Sequence, residues 1–259
     1  MGTSSIFRGN NDKNPLLPSD YEEQTQQEEA QQEQIVKPVT WKAVKTNMSK
    51  YVNSNGTRGT AAHIIRQSIK ANGGAHRMTM SSSSGIRSAI NLGSFFAGIR
   101  DKGIYKTLLE LGVEYQGKDI QEVLSFLINA MSEDSQSKND IVGREASQAA
   151  LSSIYDYLVE NNLNLESLNH LPIELMDQAM KLFFAEFIWA SIMKDLACRV
   201  EQYMQDIDSA YQREQELKGI IEAVVDVEYN KHGSLIDKNV QDAVHFLLER
   251  CLGVLEGIV

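Results

Sequence analysis

The stretch that decides the fold runs from Leu182 to Leu196 and reads LFFAEFIWASIMKDL. Apolar side chains cover nearly every side of it, which predicts a helix buried along the axis of a bundle. Apolar residues recur every three or four positions from Met176 to Tyr211, which is the spacing of a helix. We therefore predict one long helix or two nearly collinear helices here, and an unbroken helix to Leu217 would span ~65 Å.

Shorter stripes of apolar residues lie on both sides of this segment and predict further helices. They occupy residues 41–52, 61–69, 86–99, 105–111, 120–131, 141–158 and 235–252. Thr40 is placed to cap the first helix, Asp119 with Glu122 forms a capping-box pattern, and Pro172 suits a first helical position. The run from Ser81 to Ser84 is typical of a loop or of residues that cap a helix.

The fold class that follows is all-α, because no alternation of Val and Ile is long enough for a sheet. We expect a multi-helix bundle with one long central helix, preceded by an extended N-terminal arm and a polar linker. The chain divides into an arm at residues 1–19, a Glu/Gln-rich linker at 20–38, a basic helical region at 39–118 and an acidic helical region with the long helix at 119–259. The linker cannot bury enough apolar surface to offset the entropy of ordering it.

Charge is distributed unevenly along the chain, whose net charge is −10. Residues 1–36 contain 2 Lys and Arg and 7 Asp and Glu, which gives a net charge of −5. Residues 37–118 contain 13 and 3, which gives +10, and residues 119–259 contain 10 and 25, which gives −15. We interpret the basic block first as a surface that docks on the chain's own acidic segments or on an acidic protein. The second interpretation is a surface that faces phosphate or nucleic acid, although the block has few aromatic residues for base stacking.

The sequence contains no pattern typical of a catalytic or metal site. The five histidines form no metal-ligand pattern, and neither a phosphate-binding loop nor a nucleophile elbow is found. Cys198 and Cys251 are expected to be reduced thiols in or near a core. The longest apolar stretch, Leu182 to Met193, is interrupted by Glu186 and falls short of the ~20 residues that cross a bilayer. We expect a cytoplasmic protein without a secretory signal that is not an enzyme and holds no cofactor or metal of its own.

The N-terminal arm carries most of the functional information. It begins MGTSS at residues 1–5 and contains NPLLP at residues 14–18, a composition typical of a peptide that a partner binds. Removal of Met1 would expose the α-amine of Gly2, whose reference pKa of ~7.7–8.0 leaves a useful fraction neutral and nucleophilic at cellular pH. N-myristoylation requires Ser or Thr at the sixth position, where this chain has Ile6. That match is poor, and Gly2 stays an acceptor for another activated acyl donor.

Several short motifs together carry a resemblance to a known family. They are the MGTS start, the NPLLP element, Ala61-Ala62, Gly73-Gly74-Ala75 and Phe95-Phe96. On these residues the chain resembles the QatB family of the bacterial Qat anti-phage defence system, over the arm and the helices to about Leu111. The linker before Trp41 departs from this resemblance, since it is rich in Glu and Gln where Pro and Gly are expected.

The resemblance implies partners and a chemical role. Qat systems pair this family with a P-loop ATPase, a QueC-like enzyme and a TatD-like nuclease. A QueC-like enzyme uses ATP to adenylate a carboxylate of a 7-deazaguanine precursor, which an amine then attacks, and in defence systems it can conjugate the deazaguanine to a protein N-terminus. The resemblance thus implies that Gly2 is the modification acceptor and that ATP and the precursor are used by the partner. It also implies that the QueC-like partner binds Thr3, Ser4, Ser5, Asn14, Pro15, Leu16, Leu17 and Pro18.

Two other hypotheses stay open. In one, the chain is a scaffold or adaptor that bridges the P-loop ATPase and the TatD-like nuclease through its long helix and acidic region, and the arm is only a docking peptide. In the other, which we place last, it binds nucleic acid through the cations of the basic region. These cations are Lys42, Lys45, Lys50, Arg58, Arg66, Lys70, Arg77 and Arg87.

Overall fold

A computed structural model describes residues 38–53, 60–131, 138–196, 207–236 and 239–258. All of these after Pro38 belong to one compact unit, Val39–Val259. The predicted arm at 1–19 and the linker up to residue 37 lie outside the described residues, so the predicted domain boundaries stay predictions.

Helix is the only regular secondary structure in the described part of the chain, which confirms the all-α prediction. In chain order, α1 is Trp41–Asn53, α2 Ala61–Ala71, α3 Ala75–Met80, α4 Ser83–Lys102, α5 Ile104–Glu110 and α6 Ile120–Met131. They are followed by α7 at Lys138–Glu160, a 3-10 helix at Leu165–His170, α8 at Ile173–Met193, α9 at Ile207–His232 and α10 at Val240–Gly257.

The buried central helix is α8, as its apolar sequence predicts. Its Ala179, Met180 and Ile188 side chains are fully buried, and α4, α7 and α9 pack against it. The rings of Phe183 and Phe187 stack on one side of this helix with their centroids 6.1 Å apart. The helix therefore forms the apolar axis of the bundle.

The apolar stripe that begins in α8 does not continue in a straight line, so the prediction of one unbroken or two collinear helices is wrong. The helix ends at Met193, and α9 packs back against α8 in the antiparallel direction. Lys181 on α8 pairs with Asp226 of α9, whereas Glu186, further along α8, pairs with Lys218, which precedes Asp226. Apolar spacing indicates which side chains face the core, but it does not encode the direction of the chain after a turn.

Hydrogen bonds confirm two of the predicted helix starts. Thr40 Oγ1 accepts from the Ala43 N–H at 3.3 Å at the start of α1. At α6 the Glu122 N–H donates to Asp119 Oδ1 at 2.8 Å, and the Asp119 N–H donates to Glu122 Oε2 at 3.1 Å, which completes the capping box. Pro172 was predicted to be the first helical residue of α8. It is instead the N-cap, one position before the first helical residue, Ile173.

Two short helices, α3 and the 3-10 helix, are absent from the sequence prediction because they have too few residues to show a stripe. α3 follows Gly74, whose φ of 91° is a left-handed conformation that glycine adopts without strain. The serine run is divided between a turn and a helix, since Ser82 is the N-cap of α4 and Ser83 is its first residue. Ser82 therefore takes the N-cap position, but its hydroxyl donates to the Met78 carbonyl at 2.7 Å and makes no capping hydrogen bond to α4.

Glycine allows α4 to approach its two neighbours closely. Gly85 of α4 faces the central helix, and a Cβ built on it would lie 1.9 Å from Cε2 of Phe187. A Cβ built on Gly143 of α7 would lie 2.9 Å from Oγ of Ser88 on α4. A larger residue at either position would have to displace the neighbouring helix or its side chain.

Candidate functional site

The residues predicted to accept a modification or bind a partner lie outside the described residues. They are Gly2, Thr3, Ser4, Ser5, Asn14, Pro15, Leu16, Leu17 and Pro18. Their roles stay predictions. Within the helical unit the candidate sites are two exposed surfaces, one apolar and one basic.

The apolar surface lies on α5, α6 and the segment between them, and we call it the α5–α6 surface. It consists of large hydrophobic side chains that are partly or largely exposed, namely Tyr105, Leu109, Leu111, Tyr115 and Phe126. Leu109 is 72% exposed and Phe126 is 41% exposed. Single exposed apolar residues are common on proteins, but a group of neighbouring ones is typical of an interaction site.

Two separate ring contacts occur on the α5–α6 surface. The ring centroids of Tyr105 and Tyr115 are 5.1 Å apart, and Lys118 Nζ lies 4.5 Å from the ring centroid of Phe126. A hollow of about 510 Å³ lies between Leu109 and the Tyr115 segment. Leu109, Val113 and Tyr115 line this hollow, and such side chains are suited to receive apolar side chains of a protein partner.

The apolar spacing predicted a helix over residues 105–111 without assigning its buried side, and the structure shows which side chains are buried. Leu108 is buried, whereas Tyr105, Leu109 and Leu111 are exposed. A helix of seven residues has more apolar side chains here than one face can hold. That excess was the signal for an apolar surface.

The basic surface lies on α1, α2 and α3. Its cations are Lys42, Lys45, Lys50, Arg66, Lys70 and Arg77, of which Lys45 and Arg66 are half-buried and the others exposed. Residues 34–100, which include these helices, contain ten Lys and Arg and no Asp or Glu. Two further predicted cations do not belong to this surface as defined, because Arg58 lies outside the described residues and Arg87 lies on α4.

A hydrogen bond between side chains marks the middle of the basic surface. Asn47 Nδ2 of α1 donates to Gln67 Oε1 of α2 at 2.7 Å. Lys50 and Lys70 each follow one of these two residues by about one helical turn and are exposed. The side chain of Arg77 lies over the backbone just past the end of α2, since a Cβ built on Gly73 would be 2.4 Å from its Cδ.

Carboxylates of α10 border the basic surface at α3. Glu256 Oε2 accepts from the Ala75 N–H at 2.8 Å, at the start of a helix that has no side-chain cap of its own. Glu249 Oε1 lies 2.9 Å from Nδ1 of the exposed His76. Among the described residues neither carboxylate pairs with a Lys or Arg of the basic block, so the docking of this block on acidic segments of the same chain stays a prediction.

Two buried tyrosines link neighbouring helices by donating hydrogen bonds to carboxylates. Tyr229 on α9, 2% exposed, donates to Asp177 Oδ1 on α8 at 2.6 Å. Burial and the nearby Asp177 raise the pKa of Tyr229, so the phenol stays a proton donor. Tyr51 on α1 donates in the same way to Glu216 Oε2 on α9 at 2.5 Å. These hydrogen bonds have a structural role.

The acidic side chain most deeply buried in the bundle is also paired. Glu228 is 5% exposed and lies 2.6 Å from Lys231 Nζ and 3.4 Å from Arg250 Nη2. The hydrogen bond from Lys231 holds the pKa of Glu228 below its ordinary value. Burial, followed by the charge of Glu228, raises the pKa of the neighbouring Cys251 thiol to about 12. Cys251 is thus a free thiol in the core, as predicted, whereas Cys198 lies outside the described residues.

A further concave feature lies within the described residues of the helical unit. A groove of about 450 Å³ between α7 and α8 is lined mainly by apolar side chains, including Trp189 and Met193. Glu186 in this groove pairs with Lys218. Among the described residues there is no group of three or more His, Cys, Asp or Glu side chains that would hold a metal ion. None of the described helices is both long and apolar enough to span a membrane.

One protein family matches this chain. The family model described as QatB, Qat anti-phage system associated protein QatB, matches residues 73–255. No curated protein and no solved structure matches the chain. The match covers the α5–α6 surface and helices from α3 onward, but not the arm, α1 or α2. The resemblance seen in the sequence is confirmed, although most matched residues lie beyond Leu111, where only helical character was expected to agree.

Proposed function

The chain belongs to the QatB family and is a component of the Qat anti-phage system, and from this premise we propose that it serves as an acceptor protein. A QueC-like partner binds the N-terminal arm and conjugates a 7-deazaguanine derivative to Gly2 after Met1 has been removed. The chain is not the enzyme in this scheme, and the partner binds ATP and the 7-deazaguanine precursor.

The chemistry assigned to the arm is the formation of one amide bond. The partner transfers AMP from ATP to the carboxylate of the precursor and releases pyrophosphate. The neutral α-amine of Gly2 then attacks the acyl carbon, AMP leaves with the electron pair of the broken bond, and the amine loses a proton. A glycine amine suits this step because it has no side chain to hinder attack and has a reference pKa of ~7.7–8.0.

The family match over residues 73–255 is the observation that carries the proposal. The chemistry of the described residues agrees with it, because the buried Tyr229 is paired with Asp177 of α8 and the buried Glu228 with Arg250 of α10. A group committed to such a pair is poorly suited to activate a substrate. The assignment to Gly2 rests on the resemblance of the arm.

Mass spectrometry of the N-terminal tryptic peptide tests the proposal. Trypsin releases Gly2–Arg8 from the processed chain, because Arg8 is its first cationic cleavage site. With the QueC-like partner co-expressed, we expect this peptide to carry the mass of one acyl group, and fragment ions to place that mass on the α-amine of Gly2. Unmodified Gly2–Arg8 under these conditions would contradict the proposal.

Matched variants separate the amine from the rest of the arm. Gly2→Pro replaces the primary amine with a hindered secondary amine and should abolish the added mass, whereas Gly2→Ala keeps a primary amine and should retain part of it. An N-terminal tag should also abolish the modification and the phage defence. Full defence by Gly2→Pro would show that conjugation is not the function of the arm.

A scaffold that bridges the P-loop ATPase and the TatD-like nuclease is the second candidate, and the α5–α6 surface favours it. Its exposed aromatic side chains have the character of protein-binding sites. Leu109→Asp with Phe126→Ser should then weaken co-purification of the partners without changing the mass of Gly2–Arg8. A Glu110→Gln variant, changed on α5 like Leu109→Asp, is the control. If the partners co-purify equally with the double variant and with this control, the result argues against the scaffold.

A further inference from the structure

We propose that the basic surface of α1, α2 and α3 binds the phosphate backbone of double-stranded nucleic acid without reading its sequence. The inference goes beyond the acceptor role and does not depend on modification of Gly2. It revises the order of the hypotheses drawn from the sequence, where nucleic-acid binding was placed last.

The first observation is the charge of the segment that builds this surface. The chain contains 35 Asp and Glu, yet residues 34–100 contain none, together with ten Lys and Arg. The net charge is −5 over residues 1–36 and −15 over residues 119–259, and six of the ten cations lie on α1 to α3. A surface of one sign attracts a polyanion and raises its rate of association.

The second observation is that the cations are available to an external ligand. Lys42, Lys45, Lys50, Lys70 and Arg77 form no ion pair with any residue in the described part of the chain. Other cations of the protein, such as those on α8 and α9, are held by carboxylates. Among the described residues, the Lys and Arg side chains of α1 to α3 therefore have no carboxylate partner, whereas His76 of α3 lies against Glu249 of α10.

The third observation is the arrangement of the polar side chains. The Asn47–Gln67 hydrogen bond joins α1 to α2, with Lys50 and Lys70 exposed one turn away, and Arg77 lies over Gly73 beyond the end of α2. The basic side chains thus extend across three consecutive helices. Lys, Arg, Asn and Gln are among the side chains that contact phosphate oxygens.

The lack of apolar anchors on this surface favours nucleic acid over an acidic protein. Among the described residues of α1 to α4, Met80 is the one large hydrophobic side chain that is highly exposed. A protein interface needs aromatic or aliphatic anchors, and single-stranded nucleic acid needs aromatic side chains on which bases stack. A duplex backbone needs neither, since counterion release supplies the binding energy.

The carboxylates of α10 limit where a duplex can lie. Glu249 and Glu256 contact α3 at His76 and Ala75, and their negative charge repels phosphate. We therefore expect the duplex to contact α1, α2 and the Arg77 side chain beside the end of α2, and not to contact α10.

Fluorescence anisotropy of a labelled 30-base-pair DNA duplex with the full chain, between 50 and 200 mM NaCl, tests this inference. Each phosphate contact adds about 0.9 to the slope of log K against log salt. The double variant Lys50→Gln with Lys70→Gln should therefore reduce the slope by about 2. The control, Lys106→Gln with Arg144→Gln, removes two exposed charges outside the basic surface and should leave the slope unchanged.

Three results would overturn the inference. One is no duplex binding by the full chain at 50 mM NaCl, and another is an equal slope for the two double variants. The third is binding of a single strand of the same sequence as tightly as the duplex. Capture of poly-glutamate without capture of the duplex would instead assign the surface to an acidic protein. Thermal unfolding of both variants should match that of the parent chain, because all four side chains are exposed.

Discussion

Gly85→Ala tests how closely α4 packs against the central helix. A Cβ at this position would lie 1.9 Å from Cε2, 2.1 Å from Cζ and 2.7 Å from Cδ2 of Phe187, where ordinary contacts are 3.4–4 Å. Phe187 is 3% exposed and its ring stacks on Phe183. The ring therefore cannot turn away into solvent, and the helices must move apart.

Two opposing effects set the expected change in the free energy of unfolding for Gly85→Ala. Overpacking in a core costs ~1–3 kcal/mol, and replacing Gly by Ala in a helix gains ~1 kcal/mol. Because the overlap at Gly85 involves three ring atoms, the cost falls in the upper part of its range. We expect a net loss of ~1–2 kcal/mol, which in a unit of this size lowers Tm by ~2–8 °C.

Gly253→Ala is the matched control, since it makes the same substitution in a helix without the clash. Gly253 lies in α10, is exposed and has nothing within 4 Å of a built Cβ. Here only the helix-propensity gain of up to ~1 kcal/mol remains. Thermal and urea unfolding followed by circular dichroism should therefore show opposite signs for the two substitutions.

A double-mutant cycle with Phe187→Leu identifies the cause. Leu removes the ring atoms that a Cβ at Gly85 would meet, so the double variant should lose less stability than the sum of the single variants, by ~0.5–3 kcal/mol. The reasoning is refuted if Gly85→Ala raises Tm as Gly253→Ala does, or if the cycle shows no coupling.

Three further predictions concern the contacts of α10 and its neighbours. Glu256→Ala removes the acceptor of the Ala75 N–H at the start of α3, so we expect urea unfolding to show a loss of ~1 kcal/mol, with a smaller loss for Glu256→Gln. The hydrogen bond from Lys231 lowers the pKa of Glu228 in the folded protein. The stability that the Glu228 carboxylate contributes is therefore complete above pH ~4.3 and is lost as the pH falls through this lowered pKa. Acid should therefore reduce the unfolding free energy less steeply in Glu228→Gln than in the parent, and equal steepness would show that this pair does not contribute. Cys251, fully buried with its pKa raised to about 12, should react with iodoacetamide at pH 8 only in urea, and fast native labelling of a chain with its other cysteine replaced would disprove the burial.

Local structure in this protein follows from residues that lie close together in the sequence. The helix start at Thr40 and the capping box at Asp119 depend on residues three positions apart, and the burial of α8 depends on the apolar run around Phe183. The positive charge of the basic surface is also a property of the sequence. The roles assigned to Gly2 and the rest of the arm come from resemblance to a family, and the described residues do not include them.

Only the tertiary structure decided how these helices meet. The reversal of α9 against α8, the exposure of Leu109 beside the buried Leu108, and the contact of Gly85 with Phe187 all join or separate residues by packing between helices. Periodicity describes which side of one helix is apolar, but not which helix covers it. The physical reason is that such contacts form between residues far apart in the chain, and their free energy depends on the shapes of both surfaces.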